Sequence, residues 1–302
     1  MVSFLATDLR CATPILIAAL GLVFIERSGV VNIGVEGTML IGSLLGVVGS
    51  YMFGSVWWGV LTAVAATALI GALFAYFTVT LGADQVVTGT AINILGMGVT
   101  TTLNRLIFGL DKSIPPIDTF KVISIPVLSK IPVLGSVLFQ QMLPVYVAFL
   151  LVPVAHVVLF RTPFGLTVRS VGEHPKAADT VGINVWKIRY ATVIGGSCLA
   201  GLAGCYLSLG VLSFFIENMV AGRGFIALAA VIFGKYTPLG ALLAALLFGA
   251  GEALQYRFQA LGSGIPYQFM LMIPYVLTVA VLAGFVGKST PPASSGVPYT
   301  KE

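Results

Sequence analysis

Long apolar runs dominate this sequence and decide what it can fold into. The 302 residues are 58% hydrophobic and only 9% charged, with a mean hydropathy of +1.02. Soluble domains carry about 25% charged residues. A membrane-spanning helix needs about 20 apolar residues, each adding 1.5 Å of rise. The chain is therefore predicted to be an all-α polytopic membrane protein, a single transmembrane domain from residue 1 to 302.

Measured against that length, about nine runs are candidate spans, within a range of eight to ten. They cover residues 11–25, 38–53, 56–81, 86–103, 142–160, 190–212, 223–234, 239–256 and 266–286. Two of them are short for a bilayer. Each short run follows a Gly-containing break, the first at residues 28–37 (SGVVNIGVEG) and the second at residues 217–224 (ENMVAGRG).

The order of these segments predicts an inverted repeat. Residues 11–104 and 190–286 both read as a helix, a break, a shorter helix and two long helices. Because the two sets are offset by five spans, they would have opposite orientations in the bilayer. An extracytoplasmic loop (105–141), a linking helix (142–160) and a polar loop (161–189) lie between them. Gly-interrupted segments at matching positions of two halves indicate a transport path.

Polar residues inside apolar segments are costly and point to function. We predict that seven of them line the path, namely Asn32, Glu36, Gln85, Thr88, Asn93, Asn218 and Arg223. Plainer roles remain open. Glu36 could favour the dipole of its own helix, Asn32 could satisfy loop backbone, Asn93 could bond a neighbouring helix, and Arg223 could be an interfacial anchor. Glu252 is expected to face an interface or lipid headgroups.

The polar loop 161–189 is predicted to contain a short helix. Pro175 suits its first turn, and Gly182 supplies a left-handed end. Basic residues crowd the loop, which places it and the C-terminal tail in the cytoplasm.

Catalytic signals are missing. The Gly287-Lys288-Ser289 triplet lacks the earlier glycine of a phosphate loop, since residue 282 is Leu. The sequence has no HExxH and no Gly-x-Ser-x-Gly motif. Its three cysteines lie in apolar runs without metal-ligand spacing. We predict no catalytic residue and no metal site, and therefore not an enzyme.

Four motifs in order resemble one known family. They are NIGVEGTML at 32–40, QVVTGTAIN at 85–93, RTPFGL at 161–166 with GEHPKAA at 172–178, and GRGFIALA at 222–229. Over residues 11–287 the chain is similar to the permeases of ABC importers for ribose and branched-chain amino acids. The Asn-Ile-Gly-x-Glu-Gly pattern looks most like the branch fed by basic-membrane-protein lipoproteins, many of which carry nucleosides.

This resemblance implies a fold and a set of partners. The fold would resemble the cobalamin-importer permease without its first helix. The chain would sit in the bacterial inner membrane with a second homologous permease, an ABC ATPase and an extracytoplasmic substrate-binding lipoprotein. It would bind no cofactor, because ATP and Mg²⁺ belong to the ATPase. The residues similar to the ATPase-facing loop are Glu173, His174, Pro175, Lys176, Ala177, Ala178, Asp179 and Gly182.

The expected mechanism is ATP-driven import of nucleosides. The lipoprotein would dock against loops such as 105–141 and 214–221, and ATP binding would pull on the helix at residues 175–182. A simple sugar or a branched-chain amino acid remains an alternative cargo. An ion-coupled secondary transporter is a weaker alternative, since intramembrane carboxylates are few.

Overall fold

A computed structural model describes residues 2–109, 117–124, 126, 134–261, 268–270, 272–274, 276, 279 and 289–300. The helices whose bounds are described are α1 (Val2–Arg27), α2 (Val35–Phe53), α3 (Val56–Ala75), α4 (Gln85–Phe108), α5 (Leu134–Leu138), α6 (Leu143–Arg161), α7 (Pro163–Glu173), α8 (Pro175–Thr180), α9 (Val185–Tyr206), α10 (Arg223–Phe233) and α11 (Pro238–Ala260). Two π-helical segments, Tyr76–Thr80 and Leu207–Leu212, continue α3 and α9. Strands β1 (Val122–Ser124) and β2 (Gln140–Met142) form an antiparallel hairpin in which Ile123 pairs with Gln141.

Within the described residues, seven helices are long and apolar enough to cross a membrane. They are α1, α2, α3, α4, α6, α9 and α11, and each coincides with a predicted span. The short seventh run, residues 223–234, is α10. Most of the predicted ninth span, residues 266–286, lies outside the described residues. The first helix begins nine residues earlier than predicted, and α7 was not predicted.

The bundle is built around α1 and α9. The middle of α1, from Ala12 to Val23, is fully enclosed by protein, and its main neighbours are α9 and α11. Helix α9 also packs along α2 and α3. Close approach depends on small residues, because a Cβ added at Gly42 of α2 would lie 2.5 Å from the carbonyl oxygen of Gly201 on α9.

The two ends of the bundle differ. At the end that we call the hairpin end, Ser50 and Val56 both bond Asp118, and Phe120 N donates to Leu209 O. Residues 117–120 therefore cover the turn between α2 and α3. At the opposite end, called the α8 end, α7 and α8 contact the ends of α1 and α9.

The C-terminal segment, residues 289–300, is ordered against the α8 end. Ser294 N donates to Gly172 O at 3.0 Å, and Gly296 N donates to Gly29 O at 3.1 Å. Arg189 Nη1 donates to Val297 O at 3.1 Å. These bonds join the tail to α7, to α9 and to the first break.

Candidate functional site

The first break is clamped by side chains of α4. Gln85 Oε1 accepts a hydrogen bond from Val31 N at 2.7 Å. Two turns further along, Asn93 Nδ2 donates to Ile33 O at 3.0 Å and Asn93 Oδ1 accepts from Gly37 N at 2.8 Å. The backbone of a non-helical segment inside a membrane must find its hydrogen-bond partners in protein or water. Gln85 and Asn93 supply such partners to the backbone of the first break.

The other predicted residues of this region make local bonds. Asn32 is 3% exposed, and its Oδ1 accepts from Gly34 N at 2.9 Å, which closes a turn of the break itself. Thr88 is half-buried on α4, and its hydroxyl donates to Asp84 O at 2.7 Å, within the same helix. The structure thus brings Asn32, Gln85 and Asn93 together at the first break and leaves Thr88 outside that cluster.

Glu36 joins the two breaks. It lies in the first turn of α2, yet its carboxylate accepts from Gly222 N at 2.7 Å and from Gly224 N at 2.7 Å, at the start of α10. The amino ends of both short helices therefore converge on one carboxylate, which suits their positive dipole ends.

This contact lies inside the bundle. The far end of α10 is at the α8 end, where Arg27 Nε donates to Tyr236 O at 2.8 Å. The 11 residues of α10 then rise about 16 Å to Arg223. In a hydrocarbon layer about 30 Å thick, that height is close to the midplane.

Arg223 makes a buried ion pair beside this junction. Its Nε lies 3.2 Å from Glu252 Oε1 on α11, and its Nη2 donates to Glu252 Oε2 at 3.2 Å and to Tyr256 Oη at 3.3 Å. Glu252 is only 7% exposed. The expectation that Glu252 faces an interface or headgroups is wrong for this chain, because the guanidinium holds it inside the bundle.

The second break is more exposed than the first, because Glu217, Asn218 and Ala221 are exposed whereas no residue of 28–37 is. Ser213, Asn218 and Ala221 have φ values of 64°, 58° and 50°, in the left-handed region. Residues other than glycine adopt it only when their surroundings require it. Asn218 is exposed, so the structure sets it at the outer surface of the loop, apart from the other predicted path residues.

An exposed ion pair closes the outer side of that break. Arg105, near the end of α4, bonds Glu217 through Nε at 2.9 Å and through Nη2 at 3.1 Å. The hydrogen bond from Arg105 lowers the pKa of Glu217 below its ordinary value.

Two cavities flank the buried ion pair, and both are lined by Arg223, Glu252 and Tyr256. One, of about 210 Å³, continues between α1 and the end of α9 and is also lined by Arg10 and Tyr206. The other, of about 240 Å³, continues towards Ala221. Charged and aromatic groups at the rim of a mostly apolar cavity are typical of a site for a small polar molecule.

The predicted ATPase-facing residues form one corner of the α8 end. Helix α7 ends at Glu173, α8 runs over the next turn and a half, and Gly182 (φ 87°) follows in the left-handed conformation. Ala178 is 4% exposed and packs with Val171, Val185 and Tyr299. The remaining members surround it, mostly exposed, and they are His174, Pro175, Lys176, Ala177 and Asp179.

Sequence reasoning missed the two contacts that organise the site. Neither the Glu36 bonds to α10 nor the pairing of Arg223 with Glu252 follows from spacing, since 186 and 29 residues separate the partners. Two features of the sequence could have indicated these contacts. One is the single acid, Glu36, in the helix after the first break, and the other is the Gly222-Arg223-Gly224 turn before the helix that follows the second break. Sequence reasoning also missed the amphipathic α7, whose apolar side packs beneath α8.

Comparison with known proteins adds the wider context. The chain is 43% identical over 301 residues to the guanosine ABC transporter permease protein NupQ of Bacillus subtilis, covering 96% of this chain and 94% of that one. It is 40% identical to the nucleoside ABC transporter permease protein NupC of Lactococcus lactis, covering 98% and 96%. A second B. subtilis protein, the guanosine ABC transporter permease protein NupP, is 26% identical over 95% of this chain and 81% of its own length.

No solved structure matches the chain. A family model described as the permease component of branched-chain amino acid transport systems matches residues 4–286. That match covers nearly the whole sequence, including both breaks, the α4 clamp and the α7–α8 corner. The chain is a multi-pass membrane protein that belongs to this family of transport permeases.

Proposed function

We propose that this chain is a permease subunit of an ATP-driven ABC importer and that its cargo is a nucleoside. The observation that carries the proposal is the similarity, over nearly its full length, to two permeases whose names specify guanosine and nucleosides. The geometry agrees, because two broken helices meet near the midplane beside cavities with polar rims.

A second, homologous permease completes the path. In B. subtilis two permeases carry the guanosine name, and the chain is similar to both of them. Helix α4 has an unpartnered outer face that includes Val87, Ile94 and Leu106, each more than 60% exposed, while its inner face clamps the first break. A helix with one face on the break and the other open suits a position between two permeases.

The α8 end faces the cytoplasm in this proposal, with α8 against a partner ATPase that binds ATP and Mg²⁺. Lys176, Lys187 and Arg169 lie at this end, in agreement with the preference of basic residues for the cytoplasmic side. The tail bonds at the same end, so the C-terminus is cytoplasmic too. The hairpin end then faces the extracytoplasmic lipoprotein, with residues 117–124 and the second break as its docking surface.

An inverted repeat is the best account of how the helices are arranged. In the described part, α1 packs on α9 and α11, whereas α9 packs on α1 and α3. Exchanging α1 with α9 and α3 with α11 maps this set of contacts onto itself, and α2 and α10 then correspond. This exchange supports the predicted halves, 11–104 and 190–286, and a likeness to the cobalamin-importer architecture of about nine spans.

The predicted path residues divide into two roles. We propose that Asn32, Gln85 and Asn93 hold the backbone that borders the path, while Glu36 and Arg223 couple it to the second half. Thr88 and Asn218 have neither role and remain candidates for direct contact with cargo, since Asn218 is exposed and Thr88 is only half-buried.

The test is uptake of radiolabelled guanosine, uridine, ribose and leucine into vesicles that hold both permeases, the ATPase, the lipoprotein and internal ATP. We expect guanosine or uridine uptake that disappears when the ATPase carries an inactivating substitution. Uptake of ribose or leucine instead would replace the cargo class. Uptake without ATP by this chain alone would overturn the importer.

A first prediction concerns coupling. Ala178→Leu should overpack the cluster beneath α8, a change that typically costs about 1–3 kcal/mol, and should reduce substrate-stimulated ATP hydrolysis several-fold while the protein still inserts. Ala178→Ser, which is nearly isosteric, serves as the control. Undiminished stimulation of the ATPase in the Leu variant would count against a coupling role for this corner.

A further inference from the structure

Two cavities adjoin the ion pair of Arg223 and Glu252. Both are lined by the same three side chains, Arg223, Glu252 and Tyr256, so the two cavities adjoin at the ion pair. Arg223 lies about 16 Å along α10 from the α8 end, whereas Arg10, which also lines the first cavity, lies about 25 Å along α1 from Arg27. The first cavity therefore extends from the middle of the bundle towards the hairpin end.

Size indicates how the cavities would be used. Ligand sites usually measure about 300–1,000 Å³, and volumes of about 210 Å³ and 240 Å³ each fall below that range. Together the two lie within it. A ligand of ordinary size would fit only if the Arg223 and Glu252 side chains separated and the two spaces became one.

Separating a buried ion pair is costly unless another group satisfies both charges. The replacement must accept hydrogen bonds from the guanidinium and donate hydrogen bonds to the carboxylate. The edge of a purine such as guanine does both, since it carries acceptors at O6 and N7 and donors at N1 and N2. A sugar hydroxyl or the side chain of a branched-chain amino acid offers no such rigid planar set.

The walls of the larger opening suit a planar base as well. Tyr206 and Tyr256 line the first cavity with apolar neighbours, among them Met142 and Leu207. Aromatic and apolar surfaces are the usual partners for the faces of a flipped base. Tyr206 is 1% exposed, and its hydroxyl has no hydrogen-bond partner among the described residues, so it is available to a polar group that enters.

We propose that Arg223, Glu252, Tyr206 and Tyr256 form a purine-nucleoside-binding site inside this one subunit, which opens when the Arg223–Glu252 pair exchanges its mutual bonds for bonds to the base. The site rests on the proposed function and names its cargo more narrowly. Helix α10 begins at Arg223, and its amino end is held by Glu36. Binding at the site would therefore shift the amino end of α10, where the two breaks meet.

Protection of an introduced thiol tests occupancy without removing any of the four residues. Val211 lines the first cavity and is 49% exposed, whereas its neighbour Leu212 is 38% exposed and does not line it. Val211→Cys and Leu212→Cys therefore form a matched pair. In vesicles holding the full transporter, a maleimide would be applied with or without millimolar inosine or guanosine, and labelling followed by mass spectrometry.

We expect the purine nucleoside to slow labelling of Val211→Cys about tenfold and to leave Leu212→Cys unchanged. Equal rates with and without nucleoside at Val211→Cys would overturn the site. Protection at both positions would also overturn it, because that result reports a general rearrangement. Labelling of Val211→Cys that is blocked until lipid is removed would make the cavity a lipid site instead.

The substrate preference of transport provides a second test of the site. Glu252→Gln places an amide donor opposite the base donors, so the KM for guanosine should rise about tenfold relative to that for uridine. The charge-exchanged variant Arg223→Glu/Glu252→Arg checks that a pair is still formed and the protein still folds. If unmodified vesicles take up no nucleoside, the proposed function fails. If they do and the guanosine-to-uridine ratio is unchanged in Glu252→Gln, only this site fails.

Discussion

In the proposed inverted repeat the two breaks occupy corresponding places, but they are held differently. The first is fixed from three directions, by Gln85 and Asn93 on α4, by Asn32 within the break, and by the tail at Gly29. The second is more exposed, because Glu217, Asn218 and Ala221 lie at the surface while Met219 and Val220 are buried, and two of its non-glycine residues, Asn218 and Ala221, are in the left-handed region. Its inner end is tied to the rest of the protein by Glu36.

This difference indicates which of the two breaks can move during transport. A segment with saturated, buried hydrogen bonds opens only with a large cost, whereas one with exposed backbone and few tertiary bonds opens easily. We infer that the first break is a fixed support and that the second break is the moving part of the path. Glu36 then transmits the position of the moving part to the fixed one.

The largest expected effect comes from removing that link. Glu36→Ala leaves Gly222 N and Gly224 N without their acceptor, and the loss of two charge-assisted hydrogen bonds should destabilise the protein by about 3 kcal/mol. Thermal unfolding of the purified permease pair measures the effect. Glu36→Gln, which retains one acceptor oxygen, should fall between the variant and the unmodified protein. Equal stability of all three would show that Glu36 does not hold α10.

Next in size is the α4 clamp on the first break. Asn93→Leu strands Ile33 O and Gly37 N, so about 2 kcal/mol should be lost. Thr88→Val is the control, because the half-buried Thr88 hydroxyl bonds only Asp84 O of its own helix, and its effect should stay within about 0.5 kcal/mol. The same unfolding assay applies. If Thr88→Val were as harmful as Asn93→Leu, the clamp would have no special role.

Deleting the tail from residue 289 onward should have a more local effect. It removes the bonds to Gly29 O, Gly172 O and Arg189, so backbone amides of the first break should exchange hydrogen about tenfold faster. Exchange in the second break should stay the same, since no described tail residue bonds it. Faster exchange in the second break alone would reverse the assignment of fixed and moving parts.

The smallest effect is expected at the exposed pair of Arg105 and Glu217. Since the pair lowers the pKa of Glu217, its contribution is present above the ordinary glutamate pKa and is lost as the pH falls through the lowered value. Protection from exchange in residues 213–222, measured relative to the intrinsic exchange rate at each pH, should therefore not change between pH 8 and pH 6. Arg105→Gln should leave it unchanged in that range, because exposed pairs contribute little. A marked change at neutral pH would mean that this pair locks the second break.

The sequence alone singles out the two breaks and several of the residues that hold them, but not the contacts that these residues make. Asn32, Glu36 and Asn93 stand out because apolar segments rarely contain such residues, and the breaks stand out because their glycines interrupt the helical pattern. The hydrogen-bond partners of these residues could not be predicted from the sequence. Whether Glu36 serves α2 or α10 depends on how distant helices pack, and composition near residue 36 carries no trace of Gly222. The identity of Glu252 as the partner of Arg223 is hidden for the same reason.

The family resemblance succeeded where local reasoning did not. Proline and glycine marked α8 correctly, but α7 directly before it escaped notice because its apolar side was read as part of a polar loop. Once four motifs were taken together, the permease family followed, and the match over residues 4–286 agrees with it. Roles of single path residues do not follow from family membership, and they remain predictions.

Hydrogen exchange measured by mass spectrometry on the complete transporter, compared without nucleotide and with ATP trapped on an inactivated ATPase, tests the central claim most directly. The account predicts that exchange in residues 213–222 changes severalfold between the two states while exchange in residues 29–37 stays constant. A change confined to residues 29–37, or an equal change in both segments, would contradict a fixed first break and a moving second one.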